Sequence, residues 1–460
     1  MLTTRVISTR SNLNVRTVAV PALGSAMAIA AVALTHTAVD IAGGSVSALM
    51  PTIRHRFHLS AAGIGAMVAA VALCTSMAQP LAGRVADRLG AKRVAATGAV
   101  LCSALLSMLG IAGHVWIVVA LIVVGGFASA GYHPASVVLA RRVLPDRAQL
   151  AVSLFSAGGM LGLAVGPLAV LLVAAHAGIG FTPLLMVPGV VLGGVMWHFL
   201  PADPPPVARD RAATRPTGIL RGPVGALTLA SALVALAATT FSAGLPLWLT
   251  EHAGFDIDSA AIGITLALFQ IGSVAGGLLS GYLACRIVPS RLCFASLILA
   301  APALALALFT EPGGPVFYMA VTAAGALTNA GVPLLIVAAQ EHSPHSVGLA
   351  SGMVMGLANG AGGLGFVAIG FLADSQGLRA ALLAGFAVVV PAALVARRAL
   401  AARPTTDAPQ LFVIGCGCAC SSCSCEPAEN GCGCKPGSCC CDADSAAKSC
   451  CALVSVGADS

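Results

Sequence analysis

Three side chains able to carry a proton sit deep in apolar sequence. Asp40 lies well inside one long apolar stretch, and His36 stands four residues before it. His133 lies in another such stretch, immediately before Pro134. A carboxylate at membrane depth is costly, and such residues line pathways or relay protons. Burial disfavours the charged form of a carboxyl group, which lets one load and release a proton near neutral pH. Residues i and i+4 share a helix face, so His36 and Asp40 point the same way. Gly43, Gly44 and Ser47 continue that face with small groups that leave room for water or substrate. The blander reading is a structural hydrogen bond from Asp40 to a neighbouring helix and a core histidine at 133.

A second chemistry gathers at the other end of the chain. Twelve of the sixteen cysteines lie between 416 and 451: Cys416, Cys418, Cys420, Cys423, Cys425, Cys432, Cys434, Cys439, Cys440, Cys441, Cys450 and Cys451. Most spacings are C-x-C or C-C, and His345 is the last histidine, so a zinc finger built on histidine is excluded. Dense C-x-C suits thiolate clusters with soft ions such as Cu(I), Zn or Cd, and As(III) also prefers thiolates. Four thiolates per site would allow at most about three isolated sites. The segment lacks the apolar content to fold alone, so a bound metal or metalloid would have to order it. The alternative is an appendage with no selected ligand.

The elements that carry these groups follow from composition. The chain is 58% hydrophobic and only 9% charged, with mean hydropathy +0.94. A soluble domain carries roughly 25% charged residues, so most of this chain must face lipid. Its net charge of +7 is spread over short loops and is no argument for nucleic acid. Stretches of the roughly 20 residues a span requires fall near 20–50, 61–83, 94–112, 115–140, 148–174, 180–200, 223–250, 259–284, 292–310, 315–339, 347–373 and 380–396. Arg5, Arg10 and Arg16 precede the first, which reads as a true span rather than a signal core. The Pro-rich, basic stretch 201–222 separates two sets of six. The expected organisation is a cytoplasmic N-terminus (1–19), a six-helix bundle (20–200), a cytoplasmic linker (201–222), a second six-helix bundle (223–398) and a cytoplasmic cysteine-rich tail (399–460). If the N-terminus is cytoplasmic, 21 of 24 Lys and Arg residues fall on one side, the exceptions being Arg54, Arg56 and Arg379. The positive-inside rule then puts both termini in the cytoplasm, where thiols stay reduced.

The two sets repeat each other. Gly126, Pro134 and Pro145 match Gly325, Pro333 and Pro344 at an offset of 199. Gly83, Arg88 and Arg93 match Gly281, Arg286 and Arg291 at an offset of 198. Parallel halves of this kind build transporters with a substrate site between them near the midplane. His133 has Val332 as its counterpart, so it is not needed for the shared fold, and the second motif has Cys285 where Asp87 would be, so only the first copy is intact. Asp87 can also sit near a helix N-terminus, where negative charge is favoured. Gly158, Gly162 and Gly166 recur every four residues ahead of Pro167, a spacing that permits close helix packing. Gln79, Gln270, Asn329 and Asn359 read as uncharged glue between helices.

GRVADRLGAKRV (83–94) resembles the signature loop between spans 2 and 3 of the major facilitator superfamily, with Gly83, Asp87, Arg88, Gly90, Lys92 and Arg93 in place. GMLGLAVGP (159–167) is similar to the Gly-rich motif of that superfamily's proton-coupled exporters, although the usual trailing glycine pair is missing. HTAVDIAGGSVSALMP (36–51) and GYHPAS (131–136) resemble the fosmidomycin-resistance branch. The resemblance covers about residues 20–398. It implies an all-α membrane protein of twelve helices, a gate-stabilising role for the 83–93 motif, and a part for the span 5 glycines in setting export direction.

The expectation is therefore a proton-coupled exporter in the cell (inner) membrane, monomeric and in contact with lipid, with no cofactor required for transport. Asp40, with His36 or His133, would exchange a proton for a drug, an organic anion or a thiophilic metal or metalloid species. Catalysis is not expected, because no nucleophile–base pair is present. The alternative is a membrane-bound soft-metal sensor or buffer that has kept the fold and lost transport.

Overall fold

The computed structural model describes residues 24–59, 63, 67, 70–203, 222–255, 260–402, 427–428 and 431–432. With no water in the bilayer core, every backbone polar group must find a partner within its own segment. Long apolar stretches therefore become helices. The first half contains α1 (Ser25–Arg56), α2 (Gln79–Leu89), α3 (Ala91–Ser107), α4 (Val115–Val143), α5 (Ala148–His176) and α6 (Met186–Phe199). The second contains α7 (Pro223–Thr239), α8 (Leu245–Glu251), α9 (Ala260–Leu283), α10 (Pro289–Leu306), α11 (Pro315–Asn329), α12 (Val332–Glu341), α13 (Val347–Gly352), α14 (Ala358–Gln376), α15 (Leu378–Ala387) and α16 (Val389–Ala401).

Among the described residues, 11 helices are long and apolar enough to cross a membrane. They coincide with eleven of the expected spans. The twelfth, 61–83, falls partly outside the described residues, and those described in it are helical except for the turn at Ala78. Three spans contain a π-helical turn. Leu73–Met77 precedes α2, Thr240–Gly244 joins α7 to α8, and Met353–Leu357 joins α13 to α14, all as π-helical turns. Such turns insert an extra residue and occur often at functional sites. Pro223, Pro289 and Pro315 open α7, α10 and α11, where a missing N–H costs nothing because the first-turn donors have no intrahelical partner.

Size sorts the side chains. Leu168, Leu171, Phe371 and Trp116 are exposed on the outside, while alanines such as Ala95, Ala99, Ala135 and Ala151 are fully buried. Hydrocarbon welcomes large apolar groups, and small ones let helix backbones approach. Two of the three arginines that break the charge pattern have a local reason. Arg56 donates to the Gly110 carbonyl (3.0 Å) and Arg379 to the Leu308 carbonyl (3.0 Å). These carbonyls lie 198 positions apart, just past α3 and α10, and each belongs to a helix end whose last acceptors need donors. The guanidinium of Arg379 also lies 4.3 Å from the centre of the Phe309 ring.

The chain divides into two compact units, 1–404 and 405–460. In the second, Pro427–Ala428 pairs antiparallel with Gly431–Cys432. Of the twelve candidate thiol ligands, only Cys432 belongs to the described residues, by its backbone; Cys416, Cys418, Cys420, Cys423, Cys425, Cys434, Cys439, Cys440, Cys441, Cys450 and Cys451 lie outside them.

Candidate functional site

Helix α1 presents His36 and Asp40 on one face, as their spacing requires, and α4 brings His133 to the same point. The Asp40 carboxylate is shared by both imidazoles: Oδ2 lies 3.2 Å from His36 Nε2 and Oδ1 lies 3.3 Å from His133 Nε2. All three side chains are nearly enclosed, at 6%, 11% and 15% exposure for His36, Asp40 and His133.

The opposite ring nitrogens fix the proton inventory. His36 Nδ1 lies 2.6 Å from the Phe155 carbonyl of α5, and His133 Nδ1 lies 2.7 Å from the Ser129 carbonyl of its own helix. A carbonyl only accepts, so both Nδ1 atoms carry hydrogens and donate. A neutral imidazole then turns a bare Nε2 lone pair towards Asp40. Two bare lone pairs facing a carboxylate would repel it, so each contact requires a positive bridge. A proton is one cation that supplies such a bridge. The rings are also held in place: His36 stacks on buried Phe155 at 3.9 Å and meets His133 edge-on at 5.0 Å.

Glycines make the room. A Cβ on Gly159 would strike the His36 ring and Asp40 Oδ2, so α5 can pass this close only without a side chain there. The stripe Gly158, Gly162, Gly166 lies on the carbonyls of Ala33, Thr37 and Ile41, a second four-residue stripe on α1. Thr37 and Ser45 donate to the Gly158 and Gly166 carbonyls at 2.9 and 3.1 Å, both across 121 positions. A constant offset means that α1 and α5 run in the same direction with their turns in register. Helix α5 continues through Pro167, whose ring rests near Gly44.

A second constellation closes the end of the bundle that carries the 84–93 loop. Asp87 Oδ1 and Oδ2 accept the backbone N–H groups of Gly348 and Leu349 at 2.8 and 3.0 Å. These are first-turn donors of α13, so a carboxylate from one half caps a helix of the other. Gly83 and Gly348 face each other so closely that a Cβ on either would strike the other's carbonyl oxygen. Gly352 and Gly356 continue the crossing against Gln79. Gly90 ends α2 at φ 102°, where a side chain would be strained and would strike the Asp203 carboxylate. Asp203 itself accepts Lys92 N–H (3.1 Å) and pairs with Arg142 (2.8 Å). Arg88 and Arg93 are exposed. In the second copy of the motif, Gly281 packs on Gln149 and Ser153, while the Cys285 thiol donates only to the nearby Tyr282 carbonyl.

Two participants have no isolated motif. Arg141 Nη1 donates to Gln340 Oε1 (3.4 Å), and its Nη2 lies 3.6 Å from Glu341. Arg141 and Gln340 are 199 positions apart, so they are repeat counterparts that meet across the boundary between halves. The stripe Gly348, Gly352, Gly356 was equally visible as a spacing. Among the expected glue residues, Asn329 donates to Ser273 (2.8 Å), linking α11 to α9. Gln79 donates within its own span to the Thr75 carbonyl (3.0 Å), and Asn359 is exposed and bridges no helices among the described residues.

The model of the Major Facilitator Superfamily matches residues 32–256 and 227–415. The chain is 25% identical over 359 residues to the fosmidomycin resistance protein of Escherichia coli K12, across 75% of this chain and 86% of that one. It is 26% identical over 368 residues to an uncharacterised MFS-type transporter of Bacillus subtilis 168, across 77% and 88%. Its fold is similar to that of the E. coli fucose:proton symporter, with TM-score 0.66, 14% identity, and coverage of 81% of this chain and 99% of that one. The human organic anion transporter MFSD10 gives TM-score 0.64 at 15% identity, with coverage of 81% and 99%. The chain belongs to the Major Facilitator Superfamily and is a multi-pass membrane transporter of that family's two-repeat, twelve-helix architecture, not an enzyme.

Proposed function

We propose that the protein is a proton-coupled exporter of a small toxic compound, a drug or an organic anion, in the cell (inner) membrane with both termini in the cytoplasm. The observation that carries this reading is the trio itself: one carboxylate bridged to two imidazoles whose outer nitrogens are already committed. Such a group takes up and releases protons by changing the charge between Nε2 and Oδ, with little rearrangement of the helices that hold it. The resistance named for the E. coli relative supports export of a toxic compound as the purpose. The cytoplasmic mouth is then the end closed by Asp87, Gly348 and Arg141. Opening it to load substrate breaks those contacts, and the mouth closes as the opposite side opens and protons enter.

Everted membrane vesicles test the coupling. Addition of substrate should dissipate a preformed pH gradient with the wild-type protein and not with Asp40→Asn. Equal dissipation by both would overturn the role given to Asp40. A second reading is favoured by the tail's composition: its thiols capture a thiophilic ion, as an accessory to transport or as a sensor or buffer. Unchanged resistance in an Asp40→Asn strain would favour the sensor.

A further inference from the structure

We propose that His36, Asp40 and His133 form a binding site for a divalent transition-metal ion of borderline softness, of the Zn2+, Co2+ or Ni2+ class, and that such an ion is a cargo of the transport path. This deepens the reading above and rests on it, since it assigns a second cation to the same three residues.

The argument begins from the positive bridge that the geometry requires. A proton is one cation that can sit between two Nε2 lone pairs and a carboxylate; a metal ion is the other. Two imidazoles and a carboxylate suit zinc, copper, iron and nickel ions, whereas magnesium and calcium prefer all-oxygen shells. The candidate ligand atoms lie within 4.8 Å of one another. The nitrogen–oxygen separations, 3.2 Å to Oδ2 and 3.3 Å to Oδ1, are each close to the edge of about 3.3 Å of a tetrahedron whose bonds are about 2.0–2.1 Å, and because they run to different oxygens of one carboxylate, an ion held by both imidazoles draws the ligands inward or takes both oxygens. An ion among these atoms would take the place of the bridging protons.

The surroundings are those of a built site. A metal-bound histidine usually donates its other N–H to a carbonyl or carboxylate, which fixes its tautomer and aim. Both histidines do so here, to Phe155 and Ser129, at 2.6 and 2.7 Å. Phe155 stacks on one ring, and Gly159 leaves the space beside Asp40 and His36 free of side chain. Three protein ligands leave at least one position open for water, as in exchangeable rather than structural sites. The counterpart of His133 in the other half is Val332, so the ligand set occurs once.

The charges also suit a cargo. An ion of charge +2 with one carboxylate and two neutral imidazoles leaves the site at +1, the same as with two protons bridging. Metal and protons thus exchange at the site without a change of net charge, so neither form meets an extra burial penalty from the apolar helices around it.

The test uses the full-length protein in detergent, with its reactive thiols alkylated so that tail cysteines do not compete, and Co2+ as the probe. About one Co2+ per chain should bind without the thiolate-to-cobalt charge-transfer band. Its affinity should fall about tenfold or more in His36→Gln and in His133→Gln. X-ray absorption of the Zn2+-loaded wild type should show imidazole nitrogens, a readout that needs no variant to fold. Absence of Co2+ binding, equal binding in both variants, or a zinc shell without imidazole would overturn the proposal. Proton coupling fails separately. If Asp40→Asn abolishes pH-gradient dissipation by an organic substrate and the wild type binds no Co2+, the proton reading stands and the metal site falls. If Co2+ binds as described and the vesicles show no proton movement, the metal site stands and the coupling falls.

Discussion

Asp87 and Gly348 are joined by a 2.8 Å hydrogen bond that spans 261 positions and the boundary between the two halves. A sequence-level motif of one half thus acts on the backbone of the other. Hydrogen bonds to charged groups contribute about 1.5–3 kcal/mol, and Asp87 makes two. Asp87→Ala should therefore weaken the closed state by about tenfold or more. The check is maleimide labelling of a cysteine placed at fully buried Ala350 of α13. Its labelling rate should rise when Asp87 is removed; an unchanged rate would mean that the gate is held elsewhere.

The glycine stripe of α5 makes a steric prediction. Gly162→Val would drive its side chain into the Thr37 carbonyl and Asp40, whereas Gly363 in α14 has open space around it. Overpacking costs about 1–3 kcal/mol. Thermal unfolding in detergent should show that loss for Gly162→Val and little change for Gly363→Val. Equal effects would remove the argument for in-register packing of α1 and α5.

Orientation rests on the distribution of 21 of the 24 basic residues. A membrane-impermeant thiol reagent applied to intact cells should label Asp256→Cys and leave the tail cysteines unmodified. Tail labelling from outside would reverse the topology.

The tail makes a concentration-dependent prediction. If the tail thiols capture cargo, their tethering to the transporter raises the local cargo concentration. Deleting 405–460 should lower resistance to a soft metal most at low external concentration and least at high. If truncation changes resistance equally at all concentrations, or not at all, the tail does not capture cargo.

The spans, their number and the shared face of His36 and Asp40 were legible because they depend on local runs and on helical periodicity. The i, i+4 spacing placed His36 beside Asp40 without any tertiary information. His133 could be singled out only as a polar residue in a span, since its meeting with Asp40 depends on how α4 lies against α1. The helix capped by Asp87 was hidden for the same reason: a carboxylate near a helix N-terminus is a local idea, but this helix belongs to the other half. The stripe Gly348, Gly352, Gly356 shares the spacing of Gly158, Gly162, Gly166, so the signal was present and only its partner was not. The π-helical turns left no periodic trace, because an inserted residue shifts a pattern without changing its composition.

The in-register union of α1 and α5 has a mechanical meaning. The groups that hold Asp40 in the trio, His36 and His133, and the glycines Gly159 and Gly162 that pack on it belong to the first half, whereas the bonds of Asp87 and Arg141 run between halves. If the halves tilt in the proposed cycle, α1, α4 and α5 travel together and the trio keeps its internal distances. Chemistry and opening are thus governed by separate joints, linked by free energy rather than by a shared contact. A transporter arranged in this way fails by slippage: a variant can go on cycling open and closed while protons or cargo leak through uncoupled, and the cell pays in dissipated gradient rather than in lost protein.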